Sequence, residues 1–275
     1  MENYSVLMSL YIKEKPEYLE LALDSMLNQT LKPNEIVIVK DGEITKELEE
    51  VLNKYEIKYP DLLNIVGYKK NRGLGFALNF GLQYCKNELI ARMDTDDISE
   101  PTRCEEQIKI IESDPKIDII GGNISEFISE PDNIVAYRNV PEDDVDIKEY
   151  LKKRCPFNHM TVMFRKSAVL VAGGYKELFW NEDYYLWIRM FEKNITMKNT
   201  GTVLVNVRTG TDMYKRRGGI QYFKSEKFLQ KYMLEHNIIN TRIYLENIIK
   251  RFIVQCLLPN SVRGFIFKKI AREKE

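Results

Sequence analysis

The amino-acid sequence predicts an α/β protein, a mainly parallel sheet flanked by helices with a helical extension at its C-terminal end. Two observations carry this prediction. Short apolar runs alternate with amphipathic stretches over the first 93 residues, the spacing of strand–helix units whose sheet is covered on both faces. Polar or glycine-containing turns follow the runs, as expected where loops at the carboxyl ends of parallel strands build a ligand crevice.

Taken in order, Ser5-Val-Leu-Met-Ser-Leu-Tyr11 reads as a buried strand. After Pro16 a helix carries Leu19, Leu23, Met26 and Leu27 on one face. Glu35–Lys40 is the second strand and ends at Asp41-Gly42. Residues 44–58 align Leu48, Val51, Leu52 and Tyr55 as a helix. Leu63–Tyr68 is the third strand, 74–85 the third helix, and Glu88–Met93 a strand that runs into three clustered aspartates. Beyond residue 120 the pattern loosens. Short strands are expected at Ile124–Phe127, Ile134–Val140 and Met160–Phe164, with helices over Asp143–Arg154 and Asp183–Lys193. Val203–Arg208 closes the sheet, and 220–236, 241–257 and 262–273 read as helices. The expected division is a body over 1–218 and an extension over 219–275.

Composition excludes several classes. The chain has 275 residues, enough for one large domain with an extension. It is 44% hydrophobic and 30% charged, with 41 basic and 41 acidic side chains, so no global field favours nucleic acid. Cys85, Cys104, Cys155 and Cys256 lack the spacing of a zinc site or a disulfide framework. The N-terminus lacks the features of a secretory signal, and no run reaches the ~20 apolar residues of a membrane span. A cytoplasmic location is expected.

Four constellations could carry chemistry. Asp94, Asp96 and Asp97 form an oxygen-rich cluster suited to magnesium or manganese shared with a diphosphate. An acidic helix N-terminus would explain it equally well taken alone. The stretch Asn71-Arg-Gly-Leu-Gly-Phe-Ala-Leu-Asn79 opens a helix with glycines that let backbone amides approach an anion or sugar. Glu182-Asp183 lies in Trp180-Asn-Glu-Asp-Tyr-Tyr-Leu-Trp187, where Asp183 is a helix cap or a general base and Tyr184 and Trp187 could stack on a sugar. His159 is a further site candidate. Arg216 and Arg217, in a basic loop ending at Gly219, have the fork geometry for a diphosphate.

Together these residues resemble family 2 glycosyltransferases of the Rossmann-like GT-A fold, over Ser5 to about Gly219. Tyr11 resembles the family's first nucleoside contact and Asp41 its acidic uracil contact. Asn71, Gly73 and Asn79 resemble its N-x-G-x-x-x-A-x-N segment, Asp94-Thr-Asp96 its D-x-D motif, and Glu182-Asp183 its E-D pair. The phrases MSLYIKEKP, NRGLGFALNFG, MDTDDIS and NHMTVMFRK are most similar to enzymes building bacterial capsule, exopolysaccharide and O-antigen repeats, notably of the amylovoran type. Lys40 stands where a first aspartate is usual, and Leu78 where many relatives carry arginine. The Q-x-x-R-W motif of processive enzymes is absent, which favours single sugar addition.

The resemblance implies inverting, metal-dependent transfer of one sugar from a nucleotide sugar, a UDP-hexose or UDP-N-acetylhexosamine, to a hydroxyl of a lipid-linked surface glycan. Asp96 and Asp94 would hold Mn2+ or Mg2+, and Asp183 would be the base. Asp97 would cap the turn toward Pro101. Residues 241–275 carry eight basic against three acidic side chains among apolar ones, a pattern that fits a membrane surface, the protein core or a second subunit equally. Two other classes compete. One is a haloacid-dehalogenase-like phosphatase using the D-x-D cluster, disfavoured by Ile98 and by the cluster's place on a fourth strand. The other is a non-catalytic nucleotide-sugar-binding module.

Overall fold

The parallel half of the molecule forms as the apolar runs dictate. The computed structural model describes residues 1–210 and 218–259. Strands β1 (Tyr4–Leu10), β2 (Glu35–Asp41), β3 (Leu63–Tyr68) and β4 (Leu89–Met93) are parallel in the order β3-β2-β1-β4. Leu10 pairs with Lys40 and Met8 with Met93, so Tyr11, Asp41 and Asp94 leave the same edge of the sheet side by side. Helices α1 (Pro16–Leu27), α2 (Lys46–Lys58) and α3 (Leu74–Leu82) make the crossovers. Proline at the start of α1 and the Thr45 hydroxyl accepting the Leu48 N–H mark two helix starts.

The second half departs from parallel pairing. The sheet continues β4-β8-β6-β9-β5, through β8 (Met163–Arg165), β6 (Ile119–Phe127), β9 (Met197–Arg208) and the two-residue β5 (Ile98–Ser99). The β4–β8, β6–β8 and β5–β9 pairs are antiparallel, β6–β9 is parallel, and β7 (Ile134–Arg138) flanks β6. Every residue of β6 is buried, which explains why it extends five residues ahead of the run legible in sequence. Helix α4 (Arg103–Ser113) was not expected, although Cys104, Ile108 and Ile111 supply its buried stripe. Its Arg103, fully buried, donates to the main-chain carbonyl of Arg92 at 2.7 Å, and Gln107 donates to Ile120 and Thr161. These bonds hold the end of β4 from beneath.

Helices α5 (Asp144–Leu151), α6 (Lys166–Val171) and α7 (Glu182–Glu192) cover the second face. Two apolar clusters lie on opposite faces of the sheet, one around Val6, Met8 and Ile36, the other around Leu7, Val37, Trp187 and Phe164. The second includes Leu229 and Met233 of α8 (Ile220–Glu235), whose Phe228 and Tyr232 rings meet Tyr185 of α7 edge-on. Helix α9 (Thr241–Phe252) follows, continued by a wide turn over Ile253–Leu257. Asn247 bonds Lys152 and Gln230, and Arg251 pairs with Glu226. As far as Leu258, the extension is therefore packed on the body. The helix expected over 262–273 lies outside the described residues. No described helix is long and apolar enough to cross a membrane.

Because Leu229 is fully buried in the shared core, Leu229→Ala is expected to lower stability by about 2–5 kcal/mol. Urea unfolding should remain a single transition, because α8 and the body share one core.

Candidate active site

At the end of β4, carboxylate oxygens from Asp94, Asp96 and Asp97 lie within 4.8 Å of one another. One countercharge is built in. The Arg92 guanidinium, 2% exposed, pairs with Asp94, and its Nε and Nη1 have no protein hydrogen-bond partner. Burial, then the charges of Asp94 and Glu14, pushes Asp96 up to about 7. Burial and both neighbouring aspartates push Asp97 well above the usual carboxylate range. Asp97 does more than cap a turn, since its Oδ1 accepts the Arg208 N–H at 2.9 Å and ties the loop to β9. Three carboxylates held this close are a donor set that fits a hard divalent cation.

Asp41 organises the neighbouring turn. It accepts from the Tyr68 hydroxyl at 2.8 Å, Asn71 Nδ2 at 2.9 Å, Arg72 N at 2.7 Å and Gly73 N at 3.0 Å. Four donors occupy the roughly four acceptor positions of a carboxylate. Through these bonds Asp41 holds the 71–73 turn at the start of α3. Gly42, at φ +89°, lets this happen: a Cβ there would stand 2.6 Å from the Asn71 nitrogen. Tyr11, 41% exposed, lies beside this turn at the end of β1.

A second clamp places the E-D pair. Asn79 on α3 donates to the Tyr175 carbonyl at 2.5 Å and accepts from its N–H at 2.8 Å. Its amide is thus engaged by the loop before α7. Gly174, at φ +66°, makes the clamp possible, since a Cβ there would meet Asn79 Oδ1 at 2.7 Å. The Tyr175 hydroxyl sits at the centre of the site. Burial raises its pKa, and the charges of Arg92, Asp183, Glu182 and Asp94 all bear on it. The acidic loop and the E-D pair are thereby brought together around one phenol.

Within the pair, burial and then the Asp183 charge push Glu182 up to about 7. Asp183 Oδ1 accepts the Tyr184 N–H at 2.7 Å, and the Cys155 thiol donates weakly to Oδ2 at 3.8 Å. Two expected acceptor surfaces are corrected. Tyr184 is 2% exposed with its hydroxyl on the Leu151 carbonyl, and Trp187 is fully buried against Phe157 and His159. On a helix packed against the sheet, residues at this spacing face inward. His159 is buried too, bonded through Nε2 to the Tyr175 hydroxyl at 2.9 Å. Burial and the Arg92 charge keep its imidazole neutral by lowering its pKa well below the ordinary value. Arg216 and Arg217 lie outside the described residues.

The profile described as "Glycosyl transferase family 2" matches residues 5–170. The chain is a family 2 glycosyltransferase. The phosphatase expectation falls with this assignment. An Escherichia coli UDP-Gal:alpha-D-GlcNAc-diphosphoundecaprenol beta-1,3-galactosyltransferase is 38% identical over 98% of the chain and 97% of its own length. The Erwinia amylovora amylovoran biosynthesis glycosyltransferase AmsE is 40% identical over 97% of the chain and 98% of its own. The crystal structure of Staphylococcus aureus TarS 1–349 in complex with UDP-GlcNAc matches 97% of this chain and 77% of that one, with a TM-score of 0.69 at 16% identity. The GT-A fold expected from the motifs is the fold observed.

Sequence reasoning within the family motifs passed over Arg92, Tyr175, Glu14 and Arg208. Arg92 was legible as a lone basic residue in an apolar strand run. Glu14 reaches the acidic loop through a 2.6 Å bond from Thr95, and Arg208 stacks on Tyr18 and Phe127, contacts that only the fold creates.

The raised Glu182 carboxyl yields a pH prediction. The folded chain binds its proton up to about 7, the unfolded chain only to the ordinary carboxylate value of 4.5. Stability from this group is present below 4.5 and is lost as pH rises through 7. Glu182→Gln is expected to stabilise the protein by about 1–3 kcal/mol at pH 8, after allowance for solvent screening, and not at pH 4, read by thermal melts at both pH values.

Proposed function

We propose that this family member catalyses inverting, metal-dependent transfer of a single sugar from a UDP-sugar, a UDP-hexose or UDP-N-acetylhexosamine, to a hydroxyl of a lipid-linked glycan. The observation that carries the reading is the convergence of Asp94, Asp96 and Asp97 with Glu182-Asp183 around Tyr175. The relative whose name specifies a UDP-sugar donor and a diphosphoundecaprenol acceptor spans almost the whole chain. TarS, whose crystal structure holds UDP-GlcNAc, supports a uridine nucleotide.

In this reading Asp96 and Asp94 hold Mn2+ or Mg2+, with Asp97 supporting the loop. The cation, when bound, neutralises charge developing on the departing diphosphate. The turn held by Asp41 presents the α3 N-terminus toward the donor, with Tyr11 alongside. Asn79 fixes the loop before α7. Asp183 removes the acceptor hydroxyl's proton as that oxygen attacks the anomeric carbon from the face opposite the leaving group. Glu182, its carboxyl pushed up to about 7 by burial and by the Asp183 charge, stands next to that base.

Helix α9 supports a lipid-linked acceptor. It and the following turn bury Asn247 and Gln255 and half-bury Arg251 against the body, and expose Leu245, Ile249, Phe252, Ile253 and Leu257. The outward apolar stripe lies beside the exposed cations Arg242 and Lys250. An apolar face with flanking cations suits the interface of an anionic bilayer.

Two measurements test these assignments. Asp183→Asn should lower kcat by about 10²–10⁴-fold while UDP-sugar binding, read by calorimetry with Mn2+, persists; full turnover would remove Asp183 as base. Replacing Ile249 and Ile253 by Glu should abolish co-flotation with vesicles containing phosphatidylglycerol while the fold is retained. Unchanged flotation would remove the membrane assignment.

A further inference from the structure

The segment leading into α7 holds an exposed aromatic pair that the proposed chemistry does not use. Phe179 and Trp180 are 42% and 52% exposed, with rings edge-to-face at 5.7 Å. Trp180 has φ +58°, a conformation that bulky L-residues rarely adopt and that costs on the order of 1–3 kcal/mol. The strain is held in place from outside the segment. The Ser225 hydroxyl of α8 donates to the Phe179 carbonyl at 2.7 Å and accepts from Asn181 Nδ2 at 3.0 Å. The Asn181 N–H closes the turn onto the Leu178 carbonyl at 3.0 Å. A buried serine on a different helix thus fixes a turn whose result is a large indole displayed to solvent, three residues before the proposed base.

We infer that Trp180, propped by Phe179, is the platform on which the acceptor saccharide stacks the apolar face of its pyranose ring. Three residues of chain span at most about 10 Å, the length of one pyranose ring plus a hydrogen bond to the Asp183 carboxylate. A flat, weakly polar ring surface recognises the C–H face of a sugar at little conformational cost, whereas the sugar's hydroxyls need directed partners such as Asp183. This assignment rests on the glycosyltransferase reading of the same site and adds to it the residue that selects and orients the acceptor.

The chain has two tryptophans, and Trp187 is fully buried, so Trp180 reports its own surroundings. Titration with an α-N-acetylglucosaminyl diphosphate bearing a short alkyl chain should change the wild-type tryptophan emission and protect it from acrylamide. In Trp180→Phe the remaining emission should not respond. In steady-state transfer Trp180→Ala should raise the acceptor KM about five- to tenfold, with the UDP-sugar KM within about twofold, and Trp180→Phe should recover most of the loss. Trp180→Gly relieves the positive φ and should melt at or above the wild-type temperature while sharing the acceptor defect, which separates lost stacking from lost folding. An acceptor KM unchanged in Trp180→Ala, or wild-type emission indifferent to the saccharide, overturns the platform. Failure of the wild-type chain to transfer sugar from any UDP-sugar overturns the parent reading instead, and the emission titration, which needs no turnover, still decides the role of Trp180.

Discussion

Much of this molecule follows from one buried charge. Arg92 enters the sheet on a strand whose other residues are apolar, and a guanidinium in that setting demands a carboxylate. Asp94 supplies it two residues later. The pair fixes where the acidic loop leaves β4, and Arg103 and Gln107 secure the backbone beneath it. Three carboxylates crowd this loop, and the raised affinities of Asp96 and Asp97 register burial and their neighbours' charge. Burial and then the same guanidinium keep His159 neutral, and the guanidinium also bears on Tyr175.

The parallel half of the fold was legible because its strands are short apolar runs buried on both faces, with helix stripes in between. The antiparallel half was less so. Strand β6 contains Gly121, Gly122 and Asn123, which dilute an apolar signal even though the whole strand is buried. The polar inner face of α4, with Arg103 and Gln107 fully buried, hid a helix whose apolar stripe is only part of its interface. Among site residues, the acidic loop and Asp183 could be picked out by residue type and spacing. Asp41 and Asn79 were also picked out, but the bonds they make to backbone from distant parts of the chain were not, since such partners leave no local trace. Tyr184 and Trp187 show the converse, since aromatic richness near a site says nothing about which rings face inward.

Helix α9 inverts the usual arrangement by turning polar residues inward and apolar ones outward. Two of the inward residues make specific bonds, Asn247 to Lys152 and Gln230 and Arg251 to Glu226 and Lys153, and these specify orientation more than they add burial. An outward stripe held in that way is kept available, and the same helix pair that displays it also carries Ser225 to the turn before α7. The surface facing the proposed bilayer and the loop beside the E-D pair are thus mounted on one support.

The Asn79 clamp divides the loop before α7 into two mechanically distinct halves. Up to Tyr175 the chain is pinned to the donor-side helix, and a change there would disturb Gly174, the phenol and the floor of the site together. From Lys176 to Trp180 the chain is exposed or half-exposed and hangs from α8. Residues 176–180, which include the proposed acceptor platform, can therefore vary without disturbing the Asn79 clamp. On the proposed reading, a change of acceptor needs no change in the parts that make the bond.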